Sequence, residues 1–566
     1  MTIQKLIGLI APSAILLGTF MAPAEAVSLK PIGTYNTGIF DASAAEIPTY
    51  DPISQRLFVV NAGNKAIDVI GISDPTNPSL LFNIDINTYF AGGNPNSVTF
   101  RNGILAAAVE APVTQDLGKA LFFNADGSFL GDVTVGGLPD MLTFTPNGNR
   151  LLVANEGEPN SDYTIDPEGS VSIIDLDFLN LSNSNVITAG FTQFNSQIDQ
   201  LRDAGIRIFG PNATVAQDLE PEYITISEDS TKAWVALQEN NAIGVLDLIT
   251  NQFTDIIPLG YKDHSLPENG FDASDRDDAI NIANWPVLGM YQPDGIDSYT
   301  VNGKTYIVTA NEGDARDYDG FSEEVRLGNN SYQLDPNLFP NADILKLPEN
   351  LGRLTVTNAT GDLNGDDLFE EIYAFGARSF AIWEWDEVAG TLKRVYDSAD
   401  DFEQIIAQRL PNFFNSNHVE NSFDTRSDDK GPEPEDVKIA QIGDRFYAFV
   451  GLERVGGIMI YDVTDPVNPV FVDYVNNRDF TALAETPDGR TNPAAGDLGT
   501  EGLLFISAAN SPNGQSLLVA ANEVSGTTTI FSIEADIEST SVPEPGAILG
   551  LMAISSMGIL KFKRKR

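Results

Sequence analysis

No cysteine occurs among the 566 residues, which excludes disulfides, thiolate metal sites and a cysteine nucleophile. Histidine is almost missing too: His264 and His418 are the only two, too few for an imidazole zinc site and a thin supply of general bases. Positive charge is scarce. Thirty-three Lys and Arg stand against 80 Asp and Glu, a formal net charge of −47, whereas a nucleic-acid partner requires clustered cations against its phosphates. Nucleic acid is therefore excluded. What is present is a chain 42% hydrophobic with 48 Gly and 32 Pro, apolar enough for a packed core despite its charge. A metal held by such a chain is held through oxygen, and a surface this acidic either repels anions or gathers divalent cations.

Long apolar runs are confined to the two ends, and both read as addresses. Lys5 precedes an uncharged run from Leu6 to Met21, and Ala24-Glu25-Ala26 has the small-x-small form of a signal-peptidase site. Residues 1–26 are thus expected to leave as a signal peptide, with export as the consequence. At the other end Val542-Pro543-Glu544-Pro545 leads into the apolar stretch Gly546 to Leu560, followed by Lys561, Phe562, Lys563, Arg564, Lys565 and Arg566. That stretch is marginal for spanning a bilayer, and its terminal cations would stay on the cytoplasmic side. The order of Pro-Glu-Pro, short apolar helix and basic end resembles the PEP-CTERM sorting tail of Gram-negative-type bacteria. The resemblance implies an exosortase partner, a transient membrane stay through residues 542–566, and delivery to the cell surface or extracellular matrix. Residues 27–541 remain as the body.

Within that body a unit repeats. Pro139 to Glu156 is an alternating strand, a turn and a second strand, and Ser170 to Leu176 adds a third. The unit recurs at Pro221 to Leu248, at Pro293 to Glu312 and at Pro434 to Val463, with weaker copies beginning at Glu46, Asn96 and Glu501 and an eighth around Ile372 to Trp385. Short strands of period two, rich in Val, Ile, Phe and Tyr and separated by Gly and Asn-Gly turns, predict four-stranded antiparallel blades. The expected fold is all-β, a single β-propeller of about eight blades, with seven as the alternative. Leu29 to Gly38 reads as an outer strand without a blade, and the last copy (Thr527 to Ile533) is one strand short, so pairing them would close the ring.

Antiparallel pairing has a functional consequence. A first strand begins on the face where the second strand ends. Glu46, Asp140, Glu222, Asp294, Glu435 and Glu501 begin first strands; Glu110, Glu156, Glu239, Glu312, Glu453 and Glu523 end second strands. All are expected at one mouth of the central channel. The insertions at 260–292, 313–343 and 397–433 connect at that mouth, and 177–219 carries an expected amphipathic helix with Phe194, Ile198 and Leu201 on its apolar side. The result is one elaborated acidic face. Its carboxylates repel one another unless protons, cations or distance intervene, which makes the ring a candidate for hard cations. The competing reading is that each acid accepts backbone N–H groups and pins its own blade.

A sharper metal signal is Asp362-Leu363-Asn364-Gly365-Asp366-Asp367-Leu368-Phe369-Glu370. Oxygen ligands at Asp362, Asn364, Asp366 and Glu370, with the Leu368 carbonyl between them, are spaced to wrap one calcium; Asp367 stands where the strictest pattern has Gly. The strand expected at Ile372 to Gly376 favours a strand-flanked loop over a helix-flanked one. The few cations near the acidic face, Arg316, Arg378, Arg426 and Lys430, together with Glu312, are the candidate catalytic groups for a metal-assisted phosphate-ester reaction. Against that, each Arg could simply pair with a neighbouring acid. No serine nucleophile has a histidine tied to it by spacing; Ser427 and His418 are unconnected.

Asp263-His264-Ser265-Leu266-Pro267, Ile280 to Val287, Ala310 to Tyr318, Gly376 to Phe380 and Arg426 to Glu435 resemble the choice-of-anchor I family. These are bacterial surface β-propellers similar to the domain called mesenchyme-specific cell surface glycoprotein. The resemblance covers nearly all of the body, and it implies a propeller fold and a surface location. Some relatives carry alkaline-phosphatase labels, but no catalytic set transfers position by position. Two functions follow as expectations: a calcium-bound surface module binding a matrix component or other surface ligand, or a calcium-dependent phosphoesterase acting on a phosphate ester.

Overall fold

The second strand of each repeat has the plainest pattern, a run apolar on both sides. Arg150–Asn155 contains Leu151, Leu152, Val153 and Ala154, each fully buried, as are Val235, Ala236 and Leu237 of Lys232–Leu237. A strand buried on both faces must lie between two other layers, and in a propeller those are the neighbouring blades. Outer strands such as Ser79–Asp85 are mostly exposed.

The computed structural model describes residues 27–535, so the expected signal peptide, 1–26, and the expected sorting tail, 542–566, lie outside the described residues. It contains seven four-stranded antiparallel sheets. Their first strands are Pro48–Asp51, Asn94–Arg101, Pro139–Phe144, Ile224–Ile226, Ile296–Val301, Pro434–Ile442 and Thr500–Ile506. Each contacts the next, and the last contacts the first, so they form a closed circle. This is a β-propeller. Blade seven is completed from the other end of the chain: Val27–Asn36 lies outside Thr527–Ala535, with Thr34 and Thr529 hydroxyls 3.0 Å apart and Thr37 N donating to Gly526 O at 3.0 Å.

The count is seven, the alternative, and not eight. The segment around Ile372 to Trp385 divides between two sheets. Ser379–Asp386 is the third strand of blade five, paired with Lys304–Asn311, while Tyr373–Ala374 joins a separate five-stranded sheet. Sixty-seven residues, 312–378, separate those partners, and strand spacing along the chain made the far partner look like a new blade. The 177–219 segment is likewise not wholly an insertion, since Asn185–Gly190 within it is the outer strand of blade three. Its helix is a 3-10 turn, Thr192–Gln197, running into Ile198–Asp203, with Phe194 and Leu201 buried and Ile198 packed beside them.

Every long connection joins a second strand to a third, or an outer strand to the next first strand. Antiparallel order puts both kinds on one face. The five-stranded sheet (Tyr261–Asp263, Leu288–Met290, Glu324–Arg326, Thr355–Thr357 and Tyr373–Ala374) and the helix Asp401–Arg409 are built from these connections. The sheet has its own apolar centre around Phe271, Tyr332, Leu351 and Phe369. Among the described residues no helix is long and apolar enough to cross a membrane.

Candidate functional site

Two repeated devices aim carboxylates into the channel. The first is a bulge. Register shifts at Pro139/Leu142, Pro434/Val437 and Thr500/Leu503 occur where Asp140, Glu435 and Glu501 sit, and a bulge re-aims the side chain at the start of a strand. The second is a buried amide just before the acid. Asn155 Nδ2 donates to Ser170 O at 3.1 Å and its Oδ1 accepts from Gly136 N at 3.0 Å; Asn522 Nδ2 donates to Thr527 O at 3.2 Å. The amide satisfies the strand end, and the following Glu156 is left for the chamber, whereas Glu523 accepts from Ser43 Oγ at 3.4 Å.

The acids converge. Glu46, Asp140, Glu222, Asp294, Glu435 and Glu501 from first strands, with Glu156, Glu239 and Glu312 from second strands, line one chamber of about 420 Å³. Glu523 is not among its lining residues but stands near enough to Glu46 to raise it further. Glu158, Asp314, Asp436 and Arg454 also line the chamber; the sequence reading missed them because its repeat pattern marked only strand ends. Ile47, Ser97, Met141, Tyr223 and Asp436 line both this chamber and a second cavity of about 280 Å³ farther along the inner strands, so the two spaces adjoin across a mixed apolar and polar waist.

Twelve carboxylates thus share a chamber with two cations, Lys430 and Arg454. Burial, and then the neighbouring carboxylates, push Asp140 up to about 7, and burial lifts Asp294 to about 7 against a hydrogen bond with Glu435. Burial likewise lifts Glu312 to about 7 against the pull of Lys430, and it raises Glu156, Glu222, Glu435 and Glu501 well above the ordinary carboxylate range. Glu433 goes the other way. Burial would raise it, but Lys430, Arg426 and Arg454 hold it below that range, at 3.3, 2.6 and 2.9 Å.

The candidate cations are all engaged within the protein. Arg316 is 1% exposed and pairs with Asp218 at 3.1 Å and Glu220 at 3.0 Å, tying its insertion to the connection before blade four. Arg378 pairs with Glu403 at 2.6 Å and donates to the Asp272 and Ser427 carbonyls at 2.8 Å, pinning three connections together. Arg426 is held by Glu433 and by Asp429 at 3.1 Å. Lys430 lines the chamber, with its ammonium 2.5 Å from Glu312. Arg316, Arg378 and Arg426 do not line the chamber.

The 362–370 loop lies in the insertion sheet between Thr355–Thr357 and Tyr373–Ala374, flanked by strands. Asp362, Asp366 and Glu370 each bring a carboxylate oxygen within 4.8 Å of the others. Asp362 accepts from the Gly365 and Asp367 N–H groups at 2.7 and 3.0 Å, and Glu370 accepts from Leu363 N at 2.7 Å and Asn364 Nδ2 at 2.5 Å. Leu368 donates its N–H to Asp366 at 3.1 Å. The loop is therefore wound around its carboxylates, which accept its own N–H groups.

Among curated proteins, the chain is 31% identical over 188 residues to Gigasin-3a of Magallana gigas, spanning 32% of this chain and 64% of that protein. It is 29% identical over 283 residues to a mesenchyme-specific cell surface glycoprotein of Strongylocentrotus purpuratus, spanning 45% of this chain and 36% of that one. The chain therefore covers less than two thirds of either relative. Among solved structures it is similar to the β-propeller domain of Cps50 (Swd1) of Myceliophteria thermophila, at TM-score 0.41 and 8% identity over 90% of this chain and all of that one. It is also similar to a hydrazine synthase chain of Kuenenia stuttgartiensis, at TM-score 0.43 and 12% identity over 89% of this chain and all of that one. The choice-of-anchor I domain matches residues 46–466, from the first ring acid to the third strand of blade six, and on that match the chain belongs to the choice-of-anchor I domain family.

Proposed function

We propose that this protein is an exported surface or matrix module that binds a ligand through its elaborated acidic face and is stabilised by calcium in the 362–370 loop. One observation carries the reading: the long insertions leave from the face that carries the acidic chamber, while Arg316, Arg378 and Arg426 are consumed in holding connections together. A rigid ring with elaborated loops on one face suits recognition. A phosphate ester needs unshared cations there, and those three guanidiniums are shared. The surface location is supported by the cell-surface relative and by the terminal segments. The signal peptide would export the chain, and an exosortase would act on the tail after Val542.

A phosphoesterase remains the second reading because Lys430 stands 2.5 Å from Glu312 and Glu312 lies beside Asp294 and Glu435. One experiment separates the two. Chelator-treated protein is assayed for hydrolysis of a generic phosphomonoester with and without calcium, and its melting temperature is recorded in parallel. The expected result is no turnover and a calcium-dependent rise in melting temperature that disappears in Asp362→Asn/Asp366→Asn. Calcium-dependent turnover abolished by Glu312→Gln and by Lys430→Met would put the enzyme first.

A further inference from the structure

Four groups of ligating side chains occur among the described residues, and their charge balance separates them. His418, Glu453 and Glu523 are crossed by Arg454, which is 2.9 Å from Glu453 and 3.0 Å from His418 Nδ1. Glu312, Glu433 and Glu453 share Lys430, Arg426 and Arg454. Both groups already hold their cations. The 362–370 loop belongs to the reading above. Asp294, Glu312 and Glu435 differ from all three.

These carboxylates come from adjacent blades. Asp294 precedes the first strand of blade five, Glu312 follows its second strand, and Glu435 begins the first strand of blade six. Their oxygens lie within 4.8 Å of one another on the wall of the axial chamber. Lys430 and Gln238 satisfy Glu312, at 2.5 and 2.9 Å. The ion pairs leave Asp294 and Glu435 without a Lys or Arg, and among the described residues the two carboxyl groups have only each other as hydrogen-bond partners. Glu435 is 7% exposed, and its Oε2 has no hydrogen-bond donor. Glu222 and Glu239, 8% and 5% exposed on the same wall, each leave Oε2 without a donor as well. Buried carboxylate oxygens without donors are costly, and more so when charged. Such oxygens facing a polar chamber are those a cation would satisfy.

We infer that Asp294, Glu312 and Glu435 form a second hard-cation centre on the propeller axis, separate from the 362–370 loop, which takes a divalent cation of the calcium class. Once an ion displaces the protons they hold, the three carboxylates carry three negative charges against the single charge of Lys430, so one divalent ion closes the local balance. All-oxygen donors and room for water in the chamber select calcium or magnesium over softer metals. Placed there, the ion joins blades five and six at their inner edge and leaves its outward side open to the face where the insertions gather. The centre does not depend on calcium in the loop, and it would give the acidic face a positive point at its middle.

Calorimetric titration of the full chelator-stripped chain with calcium chloride tests this. Wild type is expected to show two classes of site. Asp294→Asn/Glu435→Gln should remove one class, or weaken it at least tenfold, while Asp362→Asn/Asp366→Asn removes the other. Because the axial variant removes mutual repulsion, it is expected to melt in chelator at or above the wild-type temperature, which excludes misfolding as the cause of lost binding. Unchanged calcium stoichiometry and affinity in the axial variant overturns the axial centre and leaves the loop reading standing. Unchanged binding in the loop variant, with loss in the axial one, overturns the loop and keeps the axial centre.

Discussion

At the residue scale, the cation supply decides which buried carboxylates stay charged. Arg378 neutralises Glu403, but Asp272 and Asp424 nearby gain no cation, and burial, reinforced by Glu403, pushes them up to about 7 and about 8. In the folded chain they keep protons that the unfolded chain releases near the ordinary 3.8. The native state therefore binds more protons between pH 4 and 8, and stability must fall as pH rises through that window. Melting temperature measured in chelator from pH 4.5 to 8.5 should decline, and Asp424→Asn should flatten the upper part of the decline. Asn also tolerates the left-handed backbone at this position, φ 68°. A wild-type curve rising over that range would refute the assignment. Glu433 is the counterexample nearby: equally buried, it remains charged because three cations converge on it.

At the element scale, the long insertion of blade five leaves and returns through two glycines pressed together. A Cβ on Gly376 would stand 2.1 Å from the Glu312 carbonyl oxygen, and one on Gly313 would stand 2.1 Å from Gly376 N. Both have positive φ, 70° at Gly376 and 93° at Gly313. Gln292 bridges the crossing, accepting Gly376 N–H at 3.3 Å and donating to Asp314 O at 2.5 Å. Gly376→Ala is expected to lose roughly 2–4 kcal/mol in denaturant unfolding, from left-handed strain plus overlap that backbone cannot relieve. A loss below about 0.5 kcal/mol, the range of a surface change, would contradict this account. The same crossing misled the sequence reading into an eighth blade. Pattern alone marked a repeat around Ile372 to Trp385, but the partner of Ser379–Asp386 lies across residues 312–378, and pairing at that separation leaves no mark in local periodicity.

At the scale of the whole molecule, closure depends on one strand. Without Val27–Asn36, Thr527–Ala535 becomes an open edge with unpaired backbone groups. Removing 27–36 should lower the melting temperature by roughly 10 °C and promote concentration-dependent association, and the free ten-residue peptide should reverse both; a truncated chain that melts like wild type would mean another element closes the ring. This strand was legible in the sequence, as were the all-β class, the repeats, the one-sided placement of insertions and most of the ring acids, because each follows from period-two patterning and the fixed geometry of antiparallel strands. Which acids face one another, and which cations answer them, was not legible. Arg316 finds Asp218 and Arg378 finds Glu403 only once separate connections pack together. The sequence by itself determined the strands, the face and the excess of negative charge. The tertiary structure decided the blade count and the balance of charge around each carboxylate, because long-range pairing and burial are properties of the packed ring and not of any local pattern.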